Sequence, residues 1–507
     1  MLVARSSLFT AIVASSLAAA LTPSSAARAQ STKVGPPRGT VIVVGGGAMG
    51  PEVYNAFIQA AGGPDALIID VPTAGGDSVY TQDAPGTRGW KNAGAKNIYV
   101  LHTTDKKLAD TDSFVAMVKK AGGVWFEGGR QFHLVDSYAG TKAEAAFNDV
   151  LARGGVVGGS SAGASILGDF MVRGAPSNNN YIMDYPGYEK GFSYLRGVGI
   201  DQHVVARERL PDLADSIIPK FPKLLAISED EGTAWVVKGD TATIIGRNKA
   251  FVYNGKEPND PGKPFLTLFP GDKFNLATRK VMHRAVDDSP VKPAFVDSLF
   301  QKYSSGSSGQ ATVHVARGGE VFIARSYGIP DQARYMPTTT VPQFALGAIG
   351  NVFTAICDQL PPPPPGRGGR GGRGGAAPAP ESPLQACVAR RVSTPIGMHK
   401  TNATADGQVM SDVDELYRLA LGLDAPHTFS RDTLGAAPFD AAKGWTADTY
   451  HGVKRLVAYA VDGGKRSAFV RIPDQHASII ILTNDDSADA KAIADEITDR
   501  LLGSFKQ

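Results

Sequence analysis

Short apolar runs alternate with longer segments of mixed polarity from residue 40 onward. The runs are rich in β-branched residues, whereas the segments between them repeat their apolar residues with the period of a helix. Short buried strands separated by helices are typical of a parallel sheet with helices on both faces. We predict five such strands: Thr40–Val44, Leu67–Val71, Asn97–Leu101, Val124–Phe126 and Gly155–Gly158.

Glycine-bearing loops follow four of these strands. The carboxyl ends of parallel strands meet at one edge of a sheet, and open α/β sheets bind ligands there. We therefore expect the four loops to form one rim that holds the functional site. They are Gly45–Gly50, Pro72–Asp77, Glu127–Gln131 and Gly159–Gly163.

The loop Gly159–Gly163 has the form G-x-S-x-G between a strand and an apolar, helix-compatible segment. A sharp turn of this kind lifts its central serine clear of the sheet, so Ser161 is the candidate nucleophile. The amide of Ala162 lies where a developing oxyanion could be bound. The alternative interpretation is a Gly/Ser-rich turn without chemistry.

The loop Gly45–Gly50 fits the spacing G-x-G-x-x-G, and Asp70 follows about 20 residues later, as in a dinucleotide-binding fingerprint. A second use of such glycines is to bring backbone N–H groups close to a reacting carbonyl. We favour the second use, with Gly46 and Gly47 contributing to an oxyanion hole.

Two polar segments beyond Ser161 supply a histidine and carboxylates. His203 lies in one, and Asp230 and Glu231 lie in the other. A serine, a histidine and a carboxylate are the parts of a catalytic triad, although this chain order differs from that of α/β-hydrolases. We predict that a meander with a turn at Gly239-Asp240 follows, formed by the strands Thr233–Val237, Thr241–Ile245 and Ala250–Tyr253.

These motifs resemble those of the cyanophycinase and peptidase E family of serine peptidases, whose fold is related to class I glutamine amidotransferases. The resemblance implies that Ser161 is the nucleophile, His203 the base and Glu231 the orienting acid, with Asp230 as the rival acid; such a mechanism needs no cofactor and no metal. The resemblance extends from Val41 to about Gly255. The motifs that carry it are Phe126–Gln131, Gly159–Ala164, Asp201–His203 with Arg207 and Arg209, and Asp230–Ala234.

The resemblance also implies a peptide or polyamino-acid substrate that contains aspartate. Cyanophycinases release β-Asp-Arg dipeptides from cyanophycin, and peptidase E relatives cleave dipeptides with N-terminal aspartate. The arginines could pair with substrate carboxylates, or instead with Glu208 or Asp212. Asp212 stands where the cyanophycinase pattern has another arginine, which leaves the substrate open. The implied substrate-binding residues are Gln131, Asp201, Gln202, Arg207 and Arg209.

A second unit begins near Lys292, with an antiparallel pair Ala311–Ala316 and Glu320–Ala324. It resembles the penicillin-recognising serine hydrolases of the class C β-lactamase type. At the Ser-x-x-Lys positions this chain has Ala348 and Asn351, and it has no Lys-Thr-Gly triplet, so the resemblance implies an inactive α+β domain. Further matching segments are Thr394–Met398 with Thr401, Ser411–Glu415 and Ser478–Asn484.

Residues 361–383 form a Pro/Gly/Arg-rich insertion that cannot bury a core, and we expect it to be disordered. Arg-Gly-Gly repeats also occur in RNA-binding segments, but a solvated loop fits an exported protein better. Cys357 and Cys387 flank the insertion. We hypothesise that they form a disulfide in an oxidising compartment, which would add about 3–4 kcal/mol to the free energy of unfolding.

The first 29 residues resemble an export signal, with an apolar segment Leu8–Leu21 and small residues ending at Ala29. We predict a periplasmic or secreted protein without a stable membrane span; the alternative is an uncleaved anchor. The net charge of +3 gives no case for a nucleic-acid partner.

We predict a signal peptide at 1–29, a peptidase domain at 38–285 and a β-lactamase-like domain at 292–505, with a homodimer left open. The predicted function is an exported serine peptidase acting on aspartyl or isoaspartyl peptide bonds. The alternative is a non-catalytic peptide- or anion-binding protein built from two decayed hydrolase domains.

Overall fold

The computed structural model describes residues 33–177, 179–303, 309–328, 343–360, 382–425, 440–460, 467–485 and 487–503. The predicted signal peptide and residues 361–381 of the predicted insertion lie outside the described residues. Among the described residues, no helix is both long and apolar enough to cross a membrane.

A nine-stranded mixed sheet forms the centre of the N-terminal half. All five predicted strands are present and pair in parallel; two have the predicted boundaries, and those of the other three are shifted by one or two residues. The predicted α/β class with a parallel sheet is therefore confirmed. In spatial order the strands are Lys280–His283, Lys273–Asn275, Thr241–Gly246, Thr233–Lys238, Thr40–Val44, Val156–Ser160, Gly123–Phe126, Leu67–Val71 and Asn97–Val100.

Both faces of this sheet are buried. Along Thr40–Val44, Val41 and Val43 join a core on one face, whereas Ile42 and Val44 join a core on the other. Because successive side chains of a strand point to opposite faces, a strand covered on both sides reads as a continuous apolar run. This burial explains the sequence pattern.

The predicted meander is wrong in its third strand. Thr233–Lys238 and Thr241–Gly246 form an antiparallel hairpin, but Ala250–Val252 pairs with Leu225–Glu229 in another sheet. Between them, residues 247–249 cross from one sheet to the other. The second sheet has five strands, in the order Leu266–Leu268, Ala250–Val252, Leu225–Glu229, Leu195–Gln202 and Gly168–Phe170.

The C-terminal half contains a six-stranded antiparallel sheet and a small three-stranded sheet. The predicted pair is confirmed, as Ala311–Arg317 is antiparallel to Glu320–Tyr327. In spatial order the larger sheet is Glu320–Tyr327, Ala311–Arg317, Ala477–Thr483, Ser467–Ile472, Val453–Ala460 and Thr446–Tyr450; the smaller is Phe344–Ala345, Val409–Ser411 and Asn402–Ala403.

Helices cover these sheets. A disulfide between Cys357 and Cys387 joins the helices Asn351–Gln359 and Pro383–Cys387. The other α-helices of the described residues are Pro51–Ala61, Thr87–Asn92, Lys106–Ala109, Asp112–Val115, Gln131–Tyr138, Lys142–Ala152, Ala162–Ser165, Ala285–Asp288, Pro293–Leu299, Thr394–Ile396, Val413–Asp424 and Ala490–Gly503. Shorter 3₁₀ segments are Pro72–Gly75, Val118–Lys120, Gln301–Tyr303, Gly347–Gly350 and Pro473–Gln475, and π-helical turns are Leu213–Ile217 and Val388–Ser393.

Candidate active site

Ser161 lies at a strained turn between the strand Val156–Ser160 and the helix Ala162–Ser165. Its φ of 59° and ψ of −116° are values that L-residues rarely adopt. The turn is compact because the flanking residues have no side chains: a Cβ on Gly159 would lie 2.2 Å from the Gly163 carbonyl oxygen. The G-x-S-x-G spacing thus serves this turn.

His203 and Glu231 reach Ser161 from the second sheet. The strands Leu195–Gln202 and Leu225–Glu229 are parallel, with Gln202 opposite Glu229, so the residues just beyond their carboxyl ends are neighbours. His203 Nε2 lies 2.8 Å from Ser161 Oγ, and His203 Nδ1 lies 2.5 Å from Glu231 Oε1. The three side chains therefore form one continuous hydrogen-bonded chain.

Both partners of Ser161 are buried, with His203 4% and Glu231 7% exposed. Burial alone would raise the pKa of the Glu231 carboxyl, but contacts with His203 and His399 outweigh it and hold the pKa well below its usual range. Glu231 is therefore a carboxylate across the neutral pH range. A carboxylate at Nδ1 fixes the imidazole tautomer with Nε2 free to accept a proton from the serine.

The structure brings Glu231, and not its neighbour Asp230, to His203. Asp230 Oδ1 accepts hydrogen bonds from the backbone N–H groups of Val205, at 3.1 Å, and Ala206, at 2.9 Å. Its other oxygen is bonded by Asn248. Asp230 thus holds the chain that follows His203 in place, while Glu231 contacts the ring itself.

Of the predicted oxyanion residues, Ala162 adjoins Ser161, whereas Gly46 and Gly47 lie beside His203 and Glu231. Val44 pairs with Ser160, so the Gly45–Gly50 loop leaves the sheet beside the turn. A Cβ on Gly46 would lie 2.1 Å from His203 Cε1, and a Cβ on Gly47 would lie 2.4 Å from Glu231 Oε2. Ala162 begins its helix, and the first N–H groups of a helix have no partner within it. The Gly45–Gly50 loop is therefore one wall of the site.

Asp201, predicted to bind substrate, is instead engaged by a buried arginine. Arg173 Nε and Nη2 donate to its two oxygens at 2.8 and 2.7 Å, and Nη2 also donates to Asp212 at 2.6 Å. Burial alone would lower the pKa of Arg173, but the two carboxylates outweigh it and raise the pKa. Asp201 and Asp212 are therefore committed to a charge network within the protein.

Arg209 is the reverse case. It is only 3% exposed, and its Nε and Nη1 have no hydrogen-bond partner. Asp212, the alternative partner considered from sequence, is bonded to Arg173 instead. Burial and the adjacent charge of Arg173 lower the pKa of Arg209 to about 10, so it stays cationic at neutral pH. A buried cation without a hydrogen-bonded anion is costly, and a ligand carboxylate would relieve that cost.

The other predicted substrate residues differ in accessibility. Arg207 is exposed. Gln131 is buried, and its Nε2 donates to the Val172 carbonyl at 2.6 Å. Gln202 is also buried, and its Oε1 has no partner. Of these three side chains, only that of Arg207 is open to solvent.

Sequence reasoning missed several residues at the site. Gly128 lies beside the nucleophile, since a Cβ there would be 3.3 Å from Ser161 Cβ. Arg173 was missed because no motif marks it. His399 and Arg418 come from the C-terminal half, where His399 Nε2 contacts Glu231 Oε2 and Arg418 Nη2 lies 3.7 Å from Asp230 Oδ2. Nothing in the local sequence links them to residues 230–231.

Comparison with known proteins agrees with the N-terminal part of this description. Residues 41–245 match the model of peptidase family S51. The chain is 27% identical over 271 residues to the cyanophycinase of Synechococcus elongatus, covering 49% of this chain and 83% of that protein. It is 28% identical over 269 residues to the cyanophycinase of Geminocystis herdmanii, covering 49% and 98%.

Two solved structures also align with parts of the chain. A peptidase from an acI-B1 Actinobacterium aligns with a TM-score of 0.38 at 24% identity, covering 47% of this chain and 97% of that one. A penicillin-binding protein homologue from Pyrococcus abyssi aligns with a TM-score of 0.31 at 12% identity, covering 42% and 78%. TM-scores this low do not establish a shared fold, so the β-lactamase-like domain stays a prediction.

The family match and the cyanophycinase relatives identify the enzyme class. The chain is a serine-type peptidase, and the matching region contains all three residues of the Ser161–His203–Glu231 hydrogen-bonded chain.

Proposed function

We propose that this protein is an exported serine peptidase of the cyanophycinase type, which hydrolyses aspartyl or isoaspartyl peptide bonds through an acyl-enzyme. The proposal rests above all on the unbroken chain of contacts from Ser161 Oγ through the His203 ring to Glu231 Oε1. A serine needs a base within hydrogen-bond reach to become a nucleophile at neutral pH, and this chain supplies one.

In the proposed reaction, Ser161 Oγ attacks the scissile carbonyl carbon while its proton passes to His203 Nε2. Glu231 stabilises the resulting imidazolium. The N–H groups of Ala162 and of the Gly46–Gly47 loop bind the oxyanion. His203 then protonates the leaving amine and the C–N bond breaks. Water next attacks the Ser161 ester with His203 again as base; the C–Oγ bond breaks, His203 returns its proton to Ser161 Oγ, and the carboxylic acid product leaves.

Substrate selection is assigned to Arg209. Its unpartnered, buried guanidinium is suited to a carboxylate, for which arginine offers a planar pair of donors. The curated relatives are cyanophycinases. Together these points support an aspartate-containing peptide that carries a free carboxylate: cyanophycin, or a smaller aspartyl or isoaspartyl peptide.

The decisive experiment incubates the protein with cyanophycin and follows release of β-Asp-Arg by mass spectrometry, with aspartyl and isoaspartyl dipeptides as further substrates. Ser161→Ala is expected to abolish release, and Ser160→Ala is the matched control on the adjacent serine. Cleavage of dipeptides but not of the polymer would narrow the substrate class. No turnover of any of them, with no labelling of Ser161 by a fluorophosphonate, would favour a binding protein.

The role of Arg209 is tested by a pair of arginine variants. Arg209→Met is expected to raise KM about 10–100-fold with a smaller change in kcat, since a charge-assisted hydrogen bond contributes about 1.5–3 kcal/mol. Arg207→Met is the exposed control from the same segment. An equal rise in KM in both variants would mean that general positive charge, rather than Arg209 itself, attracts the substrate.

The proposal includes two further parts. Export is supported by the leader-like residues 1–29, and N-terminal sequencing of protein from an exporting host should find Gln30 first. The C-terminal half is proposed to be an inactive β-lactamase-like domain, because Ala348 and Asn351 carry neither a nucleophile nor a base. Nitrocefin hydrolysis by Ser161→Ala would contradict that second part.

A further inference from the structure

The carboxylate of Glu231 contacts two imidazoles from opposite directions. Oε1 meets His203, and Oε2 meets Nε2 of His399, which belongs to the C-terminal half. The second contact is a close pair between a ring N–H donor and the carboxylate. One histidine in the N-terminal half and one in the C-terminal half thus hold the same carboxylate.

The segment that carries His399 is anchored to the peptidase half by buried groups. Arg418 is 4% exposed, and its Nη1 donates to the Gly397 carbonyl while Nη2 lies 3.5 Å from the Glu231 carbonyl oxygen. Arg247 Nη1 donates to the Ile396 carbonyl at 3.3 Å. Arg247 and Arg418 thus hold the backbone at Ile396 and Gly397, just before His399, against the peptidase half.

Ion pairs extend the same interface. Lys249 Nζ lies 2.8 Å from Asp414 Oδ2, with only 8% of the lysine side chain exposed. The charged groups around His399 are Glu231 and Asp230 from the peptidase half, Arg418 and Glu415 on the helix Val413–Asp424, and Lys249, Lys400, Asp412 and Asp414 around the adjoining cavity. His399 itself is 47% exposed, so solvent protons reach it.

We propose that His399 is a positioning residue for the triad: it holds Oε2 of Glu231 so that Oε1 faces His203, and it thereby makes the serine site depend on the C-terminal half. This inference rests on the proposed function. The C-terminal half then completes the active site without contributing a reacting group.

The contact can be tested without any turnover. The Glu231 carboxylate raises the pKa of His399, against the opposing effects of burial and of Arg418. In a histidine NMR titration of the full chain, the pKa of His399 should lie above 6.5 and fall in Glu231→Gln. The His399 signal is assigned as the one that is missing from the spectrum of His399→Gln. A His399 titration that is unchanged in Glu231→Gln would overturn the proposal.

The consequence for the site is measured as the rate of Ser161 labelling by a fluorophosphonate between pH 5 and 9. His399→Ala should slow labelling about tenfold, because Glu231 loses one of its two restraints. His399→Gln keeps a donor but loses the charge, so its rate should recover to within about threefold. In both variants, the acid limb of the plot of labelling rate against pH should move to higher pH, because each variant removes a cation near the His203 imidazolium.

Two controls separate positioning from general effects. His451→Ala removes a similar exposed histidine, 2.9 Å from Asp499 and away from the triad, and should leave the rate unchanged. Lys249→Met weakens the same interface without touching Glu231, and should leave the pH profile unchanged. A His399→Ala rate within twofold of wild type, with an unmoved profile, would overturn the proposal. A wild-type chain that is not labelled at Ser161 would refute the proposed function, while the NMR titration would still decide the contact.

Discussion

Two histidines are buried among the described residues, one in each half, and their surroundings differ. His203 has Ser161 on one ring nitrogen and Glu231 on the other. His314, on the strand Ala311–Arg317, stacks on Tyr417 with ring centroids 4.4 Å apart, and its Nδ1 has no hydrogen-bond partner. Burial alone therefore does not mark a catalytic histidine; a hydroxyl and a carboxylate on its two nitrogens do.

The largest expected loss of activity comes from substituting His203, and the matching substitution of His314 is its control. His203→Ala should lower kcat/KM by about 10⁴–10⁶, the range seen when a triad base is removed. His314→Phe keeps an aromatic ring against Tyr417 and should stay within about twofold of wild type. Both are measured as release of β-Asp-Arg, with circular dichroism to verify folding. A folded, inactive His314→Phe would break the comparison.

A smaller loss is expected at the acid beside His203. Glu231→Gln should lower kcat about 10²–10⁴-fold, because an amide cannot enforce the tautomer that leaves Nε2 free. Asp230→Asn should cost less than about tenfold, since its side-chain oxygen can still accept from Val205 and Ala206. Reversal of this order would assign the triad acid to Asp230.

The disulfide tests whether the two halves differ in stability as well as in chemistry. The double variant Cys357→Ser/Cys387→Ser frees two helices of the C-terminal half and should lower its free energy of unfolding by about 3–4 kcal/mol. Ser161 labelling below the unfolding transition should not change. Denaturant unfolding with and without reductant measures the effect in wild type, and identical curves would contradict it.

The smallest expected effect is a pH dependence of folding stability that comes from His314. Burial lowers the pKa of His314 from 6.5 to about 4, against the nearby charge of Asp414 and together with that of Lys249. The unfolded chain therefore binds a proton at a higher pH than the folded chain does. The stabilising contribution is complete above pH 6.5 and is lost as the pH falls toward 4.

Thermal unfolding at pH 7 and pH 5 measures this loss, and His314→Phe should lose less stability on acidification than wild type. Equal losses in both would mean that other groups govern the acid sensitivity.

The sequence predicted those parts of the site that local patterns encode. Glycines at 159 and 163 marked the turn at Ser161 because a Cβ there would collide with backbone. The β-branched runs marked the five parallel strands because those strands are buried on both faces. The strand Ala250–Val252 was placed in the wrong sheet, since its apolar pattern is the same in either one.

By itself, then, the sequence determined the strands, the strained turn and the residue types for a serine mechanism. Only the tertiary structure decided that Glu231 rather than Asp230 contacts His203. It also decided that Arg173 donates hydrogen bonds to Asp201 and that His399 contacts Glu231. The physical reason is distance along the chain. Hydrophobic period and turn chemistry act over a few residues, whereas a contact between residues 231 and 399 leaves no local period to read.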